Sequence, residues 1–382
     1  MNKALGSVLL ILTSVSFAKV PSIKVKIASS QDRIRLSGTD IERYIWPRKS
    51  NKSYIGKKKI DFNCESNSKS KFKTKPLRLA SIRSKTGLVH WKKKSYWGKI
   101  HVQTSEQLDG CDLINELSLE YYIKSLLSKE MSSKWPIEAL KAQAVAARSY
   151  ALYKIKNKQV SRSKGFKVNY DLENSEFHQV SGDFFDITRK TTKATKFTKG
   201  EVLVVNNNKL APIFFHSKCG GKTLRPDQVW NNKVPGYVSV SCLYCQKHGM
   251  KNWTRKIDKK NLFSSFYKAL KKYSNDKFIK NNDPMRLLND EQISAKLKFY
   301  CKDKFKTLKK SRLRAIMGRK SLPSNFYNIT DNGNSFLVKG SGYGHGVGMC
   351  QFGAKELALK GYTYRQILAH YFPKFRIQKV YQ

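Results

Sequence analysis

The chain has 382 residues, 40% of them hydrophobic, with 75 Lys and Arg against 27 Asp and Glu. That is enough to bury one large core or two of ordinary size, and a formal net charge of +48 directs the search for partners to anionic ones. Nucleic acid is a poor candidate among these, because no helix-turn-helix, RNP or zinc-finger helix pattern is visible and the first residues read as an export signal.

Met1-Asn2-Lys3 is a positive start, Ala4 to Phe17 an apolar run, and Ser16-Phe17-Ala18 a small-x-small cleavage site, which together predict a signal peptide over 1–18. No later stretch is apolar for long enough to span a bilayer, and no cysteine follows the cleavage site to take a lipid. The product is therefore expected in the periplasm, the wall or the medium. Alternating patterns predict short strands at Ile23–Ile27, Ile34–Leu36, Lys99–Val102, Glu201–Val205 and Ser335–Lys339, interleaved with helices near 113–129, 136–155, 260–273 and 353–369. The expected class is α+β, with mixed sheets and packed helices. Asn206-Asn207-Asn208 predicts a hairpin turn from Glu201–Val205 into a strand over Leu210–His216.

The helix over 113–129 would leave Glu130 at or just past its C-terminal end. The negative end of that helix, with apolar Met131 and Trp135 nearby, disfavours ionisation, so Glu130 could serve as a general acid. An ordinary solvated helix-end glutamate is the alternative. Pro136 suits the first turn of the next helix. There Ile137, Leu140, Ala144, Ala147 and Ala151 recur every three or four residues, and Ala142, Val145 and Ala146 widen the apolar surface, so this helix should be buried and rigid. Glu120 and Glu138 fall inside helical patterns and are expected to be solvated or paired.

Seven cysteines cannot all pair in an exported chain. His216-x-x-Cys219 and Cys242-x-x-Cys245 have the spacing of two zinc knuckles; a disulfide among Cys219, Cys242 and Cys245, or free thiols, are the competing readings. His248 is a reserve ligand, and Cys64–Cys111 is a second bridge to consider. Lysines crowd 48–99 and 251–320, as a solvated surface or as faces for anionic envelope polymers or lipid headgroups. Glycines alternate from Gly340 to Gly348, which permits positive φ and close passage of another segment. His345 and Gln351 follow as candidates to hydrogen-bond a sugar or to orient Glu130.

Glu130-Met131 followed by Trp135-Pro136-x-Glu138-Ala139-Leu140-Lys141-Ala142-Gln143-Ala144-Val145-Ala146-Ala147-Arg148-Ser149-Tyr150-Ala151 resembles the signature of the SpoIID family, the stage II sporulation protein D lytic transglycosylases and their amidase-enhancer relatives. Phe214-Phe215-His216-Ser217-x-Cys219-Gly220-Gly221-Lys222-Thr223 is similar to the family's central block. Gly342-Tyr343-Gly344-His345-Gly346-Val347-Gly348-Met349-Cys350-Gln351-Phe352-Gly353-Ala354, with Gly361-Tyr362-Thr363-Tyr364 and His370-Tyr371-Phe372-Pro373, is similar to its C-terminal block. Phe352, Cys350 and His178-Gln179-Val180 depart from the usual pattern. The resemblance implies cleavage of the peptidoglycan glycan between N-acetylmuramic acid and N-acetylglucosamine, giving 1,6-anhydro ends, with Glu130 as the acid. It further implies Arg148, Ser217, Gly344, His345 and Gln351 as substrate contacts, and zinc near the active site through His216, Cys219, Cys242 and Cys245. Peptidoglycan strands and an amidase are the implied partners. On this reading residues 19–105 form a basic, strand-rich N-terminal part, and 106–382 the core, with a Lys-rich segment at about 251–320.

Overall fold

A computed structural model describes residues 19–46, 48–64, 76–105, 110–157, 168–174, 182–247, 252–273, 285–288, 295–301 and 304–382. The expected signal peptide, His178-Gln179-Val180 and His248 lie outside the described residues. Six strands come first: β1 (Ser22–Gln31), β2 (Arg33–Ile45), β3 (Ser50–Asn63), β4 (Arg78–Trp91), β5 (Lys94–Thr104) and β6 (Cys111–Ser118). With the short β7 (Leu172–Glu173) they make one sheet in the order β3-β2-β4-β5-β6-β1-β7. Side chains alternate across a strand, so Ile41, Ile82, Ile100 and Leu113 enter one core, while Glu42, Arg83, Lys99 and Glu116 neighbour one another on the opposite face. A disulfide between Cys64 and Cys111, Cα atoms 5.7 Å apart, joins the end of β3 to the start of β6. Three strands separate those two in the sheet, so the sheet curls over its core.

The helix expected over 113–129 begins only at Leu119. Cys111–Ser118 is strand, paired with both β5 and β1. A spacing of four between Leu113 and Leu117 satisfies a period of two as well as one of 3.6, which is why the pattern misleads. The helix α1 (Leu119–Glu130) then packs on α2 (Ile137–Lys156). In α2 the run from Ala139 to Leu152 is buried apart from Lys141, and it forms the centre of the largest hydrophobic cluster. Small side chains there let neighbouring elements approach closely, which makes α2 a stiff axis.

Around that axis lie α3 (Arg189–Phe197), opened by a Thr188 capping box, and the hairpin β8 (Glu201–Val205) to β9 (Lys209–Leu210), which turns through Asn207 and Asn208, both at φ 57°. The strand expected to continue to His216 breaks. Only Phe215–His216 re-forms one, β10, and it pairs elsewhere, as described below. After α4 (Pro226–Val229) comes the lysine-rich stretch: β11 (Asn252–Asp258), α5 (Lys259–Tyr273), β12 (Met285–Leu288), β13 (Lys296–Cys301), β14 (Lys304–Lys309) and α6 (Lys310–Met317), then β15 (Phe326–Asp331) and β16 (Ser335–Ser341). These elements share a second cluster of their own, including Trp253, Phe266, Phe299, Leu313, Tyr327 and Phe336. The lysines therefore cover a folded lobe.

From β16 the chain passes through the glycine block into β17 (Met349–Cys350), α7 (Gln351–Leu359), α8 (Tyr364–Tyr371) and β18 (Arg376–Lys379), which pairs with β8. The single helix expected over 353–369 is divided at Gly361, φ 85°, and restarted by a capping box at Thr363. The class is the expected α+β. Among the described residues no helix is long and apolar enough to cross a membrane.

Candidate active site and metal centre

Glu130 is the last residue of α1. Met131 ends the helix in extended conformation, its N–H still bonded to the Leu127 carbonyl. The glutamate is half-buried, followed by buried Met131 and by Trp135, whose ring meets Phe352 edge-on at 5.0 Å with the Lys355 ammonium 5.6 Å from its centre. Tyr122, further back on α1, is fully buried, and its hydroxyl is held protonated first by that burial and then by the nearby Glu130.

The neighbouring glutamates have structural duties. Glu120 accepts two bonds from Arg148, at 2.8 and 3.0 Å, and one from the Tyr381 hydroxyl at 2.6 Å. Glu138 binds the Lys141 ammonium at 2.6 Å and accepts the Tyr364 N–H at the start of α8 at 2.8 Å. Arg148, expected to touch substrate, instead has no exposed surface: its guanidinium lies wholly inside the core, and it also donates to the Glu201 carbonyl at 3.1 Å. A charge in an apolar helix survives only where every donor finds an acceptor, and Arg148 does so by clamping α1, α2 and β8.

The second and third sequence blocks meet where β10 pairs in parallel with β17, His216 opposite Cys350. Gly348 allows this approach: a Cβ there would fall 2.1 Å from the Phe214 carbonyl oxygen, and its φ is 72°. Gly344, φ 105°, passes close to His216 and Ser217. Ser217 is half-buried and its carbonyl accepts the Phe352 N–H at 3.1 Å. His345 accepts the Val347 N–H on Nδ1 at 3.0 Å, within a cage of Phe214, His216 and Trp230 rings. Burial first, then the neighbouring His216, keeps it neutral. Nδ1 is thus engaged in bracing the loop, so any sugar contact by His345 would fall to Nε2. Gln351 is buried between α7 and α2, its amide 3.5 Å from that of Gln143.

The metal-binding set needs one correction. Sγ atoms of Cys219, Cys242, Cys245 and Cys350 lie within 4.8 Å of one another, all buried, and His216 is not among them. It donates Nδ1–H to the Val347 carbonyl at 3.1 Å, and its buried Nε2 has no hydrogen-bond partner among the described residues. Burial pushes its pKa down to about 4. The β10–β17 pairing explains the exchange: it brings Cys350, which sequence spacing alone left without a role, up to the knuckle cysteines. Four thiolates around zinc at about 2.3 Å stand about 3.8 Å apart, and the observed cluster is of that size, with Cys219 and Cys245 sulfurs 3.4 Å apart. Backbone N–H groups of Cys219 and Gly353 point at the Cys350 sulfur, at 3.4 and 3.3 Å. Hydrogen bonds from its sulfur neighbours favour the thiolate at Cys245, whereas burial favours the thiol at Cys350. A cation would relieve that mutual opposition, and the donor set fits one.

A helix-end carboxylate five residues before Trp135, with a thiol cluster where two glycine-rich blocks meet on the same core, defines the class of site. Comparison with known proteins places it. The sequence model of the family described as stage II sporulation protein matches residues 107–205. An uncharacterised protein of Brachyspira hyodysenteriae is 32% identical over 261 residues, covering 68% of this chain and 66% of that protein. The Bacillus subtilis amidase enhancer is 27% identical over 66% of this chain, which spans only 39% of that relative. Stage II sporulation protein D of Bacillus subtilis is 27% identical over 70% of this chain and 76% of its own length. The chain belongs to the SpoIID family.

Proposed function

We propose that this protein is an exported lytic transglycosylase that cleaves peptidoglycan glycan strands, acting on those without stem peptides, and that Glu130 is its acid. The observation that carries the reading is the position of Glu130, half-buried at the C-terminal end of α1 and inside the segment that the family model matches, while Glu120 and Glu138 serve a buried clamp and a helix cap. One carboxyl group suffices for this chemistry. A hydrolase needs a second carboxylate to activate water or to attack. Here Glu130 gives its proton to the oxygen leaving C1 of the muramic unit, the C1–O bond breaks, and the sugar's own 6-hydroxyl attacks C1. The carboxylate accepts the hydroxyl proton, which restores the acid and leaves a 1,6-anhydro ring without consuming water.

Mass spectrometry of products after incubation with purified wall tests this. Anhydromuramyl ends should form with the native protein and vanish with Glu130→Gln, which keeps volume and polarity but cannot deliver the proton. Near-native turnover in that variant would move the acid elsewhere. The amidase-enhancer relative supports a second reading, a wall-bound protein that stimulates an amidase; intact glycan together with faster peptide release would select it. The cysteine cluster we assign to zinc, which would fasten the central and C-terminal blocks together as a structural ion. About one equivalent of zinc in the purified protein is expected for a four-ligand site, and a metal-free protein with Cys219 oxidised to a neighbour would overturn the assignment.

A further inference from the structure

Far along α2 from Glu130, a cleft of about 460 Å³ opens between the C-terminal half of α2, the β9–β10 connection and α4. Tyr150 lies 13 residues into α2, about 20 Å from its start at about 1.5 Å per residue. The walls are aromatic: Tyr150 and Tyr153 on one side, Phe214 and Trp230 on the other, with Phe214 4.7 Å from Trp230 and 5.9 Å from Tyr150 between ring centres. Lys209 and Lys233 stand exposed on the rim. Among the described residues neither has an ion-pair or hydrogen-bond partner, and no carboxylate lines the cleft.

The walls are fixed from behind. Lys309 of β14 donates to the carbonyls of Asp227 and Trp230 at 2.6 and 2.5 Å, and Ser311 of α6 to that of Val229 at 2.5 Å. On the other side the Tyr237 hydroxyl donates to the Pro212 carbonyl at 2.9 Å and accepts the Phe214 N–H at 2.8 Å. The basic lobe thus holds α4 in place, and the cleft is formed before anything enters it. Flat aromatic surfaces take the apolar face of a sugar ring, and unpaired ammonium groups take an anion. Burial keeps the Tyr150 hydroxyl protonated, as a donor.

From this we infer that the cleft is a distal subsite for an acidic sugar unit of the glycan strand, with the ring on the aromatic wall and the lactyl carboxylate of a muramic unit between Lys209 and Lys233. The inference rests on the glycan reading above. Binding, measured in the Glu130→Gln protein by calorimetry, keeps it separate from turnover. The probes are a peptide-free hexasaccharide of alternating N-acetylglucosamine and N-acetylmuramic acid, and neutral chitohexaose. Lys209→Ala/Lys233→Ala should weaken the acidic probe roughly tenfold, as the loss of two rim charges allows, and leave the neutral one unchanged; both lysines are exposed, so the fold should survive. Trp230→Ala should weaken both probes. Unchanged affinity of the double lysine variant for the acidic probe, or equal losses for both probes, would overturn the subsite. If the lysine variant loses the acidic probe while the native protein yields no anhydro ends, the cleft stands and the proposed reaction falls.

Discussion

Placing Arg148 inside the alanine-rich core of α2 removes a guanidinium from water, and only a complete set of acceptors offsets that desolvation. Glu120, the Glu201 carbonyl and the Thr198 hydroxyl supply them, and Tyr381 and the Gly200 N–H complete the coordination of Glu120. The pair therefore ties α1, α2, β8 and the C-terminal end of the chain. Arg148→Ala should destabilise by about 3–5 kcal/mol, because it strands a buried carboxylate. Urea unfolding would measure this. Replacing both partners at once, with Glu120→Gln and Arg148→Met, should recover part of the loss, since the orphaned charge is then gone. If the single variant unfolded at the native midpoint, the clamp would contribute nothing to stability. From sequence the residue could be placed on the helix but not assigned its partner, because Glu120 lies 28 residues upstream in another helix and Glu201 lies 53 downstream.

At the level of elements, local signals were readable and long-range pairings were not. Pro136 and the alanine run fix α2 within one residue of the expected start, because capping and periodicity are properties of neighbouring residues. The break between β9 and β10 had no such signal: Leu210 to His216 reads as one strand, yet Phe215 and His216 leave to pair with Met349 and Cys350. That departure decides the candidate metal set, since it carries Cys350 to Cys219 and turns His216 away. Gly348 is the hinge of the arrangement. Alanine there would need a left-handed backbone and would press a Cβ against the Phe214 carbonyl oxygen, a strain on the order of 1–3 kcal/mol before any clash is counted. Gly348→Ala should therefore lower stability in urea and, with the zinc assignment, reduce bound metal together with it. Full metal content in a destabilised variant would show that the cysteines assemble without the β10–β17 bridge. Native stability would mean that the loop can pass Phe214 by another route.

Among the described residues, the three largest hydrophobic clusters carry a very unequal surface. Lysines of β3, β4 and β5 cover the curled sheet and those described in the 252–317 lobe cover the second core, whereas around Trp135 and Phe352 the ammonium groups are few, Lys355 and Lys218. A formal charge of +48 makes a field that draws the protein to an anionic envelope, but only while that field reaches past the contact zone. Its reach is about 8 Å at physiological salt and about 3 Å at molar salt. Retention on whole wall, which sums many weak contacts over both lysine-rich faces, should therefore fall steeply as salt rises. Cleavage of short, soluble, peptide-free fragments engages the Glu130 region and at most the few lysines of the distal cleft, Lys154, Lys209 and Lys233, so it should fall much less. Sedimentation of protein with wall sacculi and product release from soluble fragments, measured over one salt series, give the two slopes. Equal slopes would place the lysine-rich faces in the catalytic groove itself, and a flat response in both would reduce them to solvated surface. A steep slope for retention with a shallow one for cleavage separates a basic tether from a site whose affinity comes from shape, aromatic contact and a few charges.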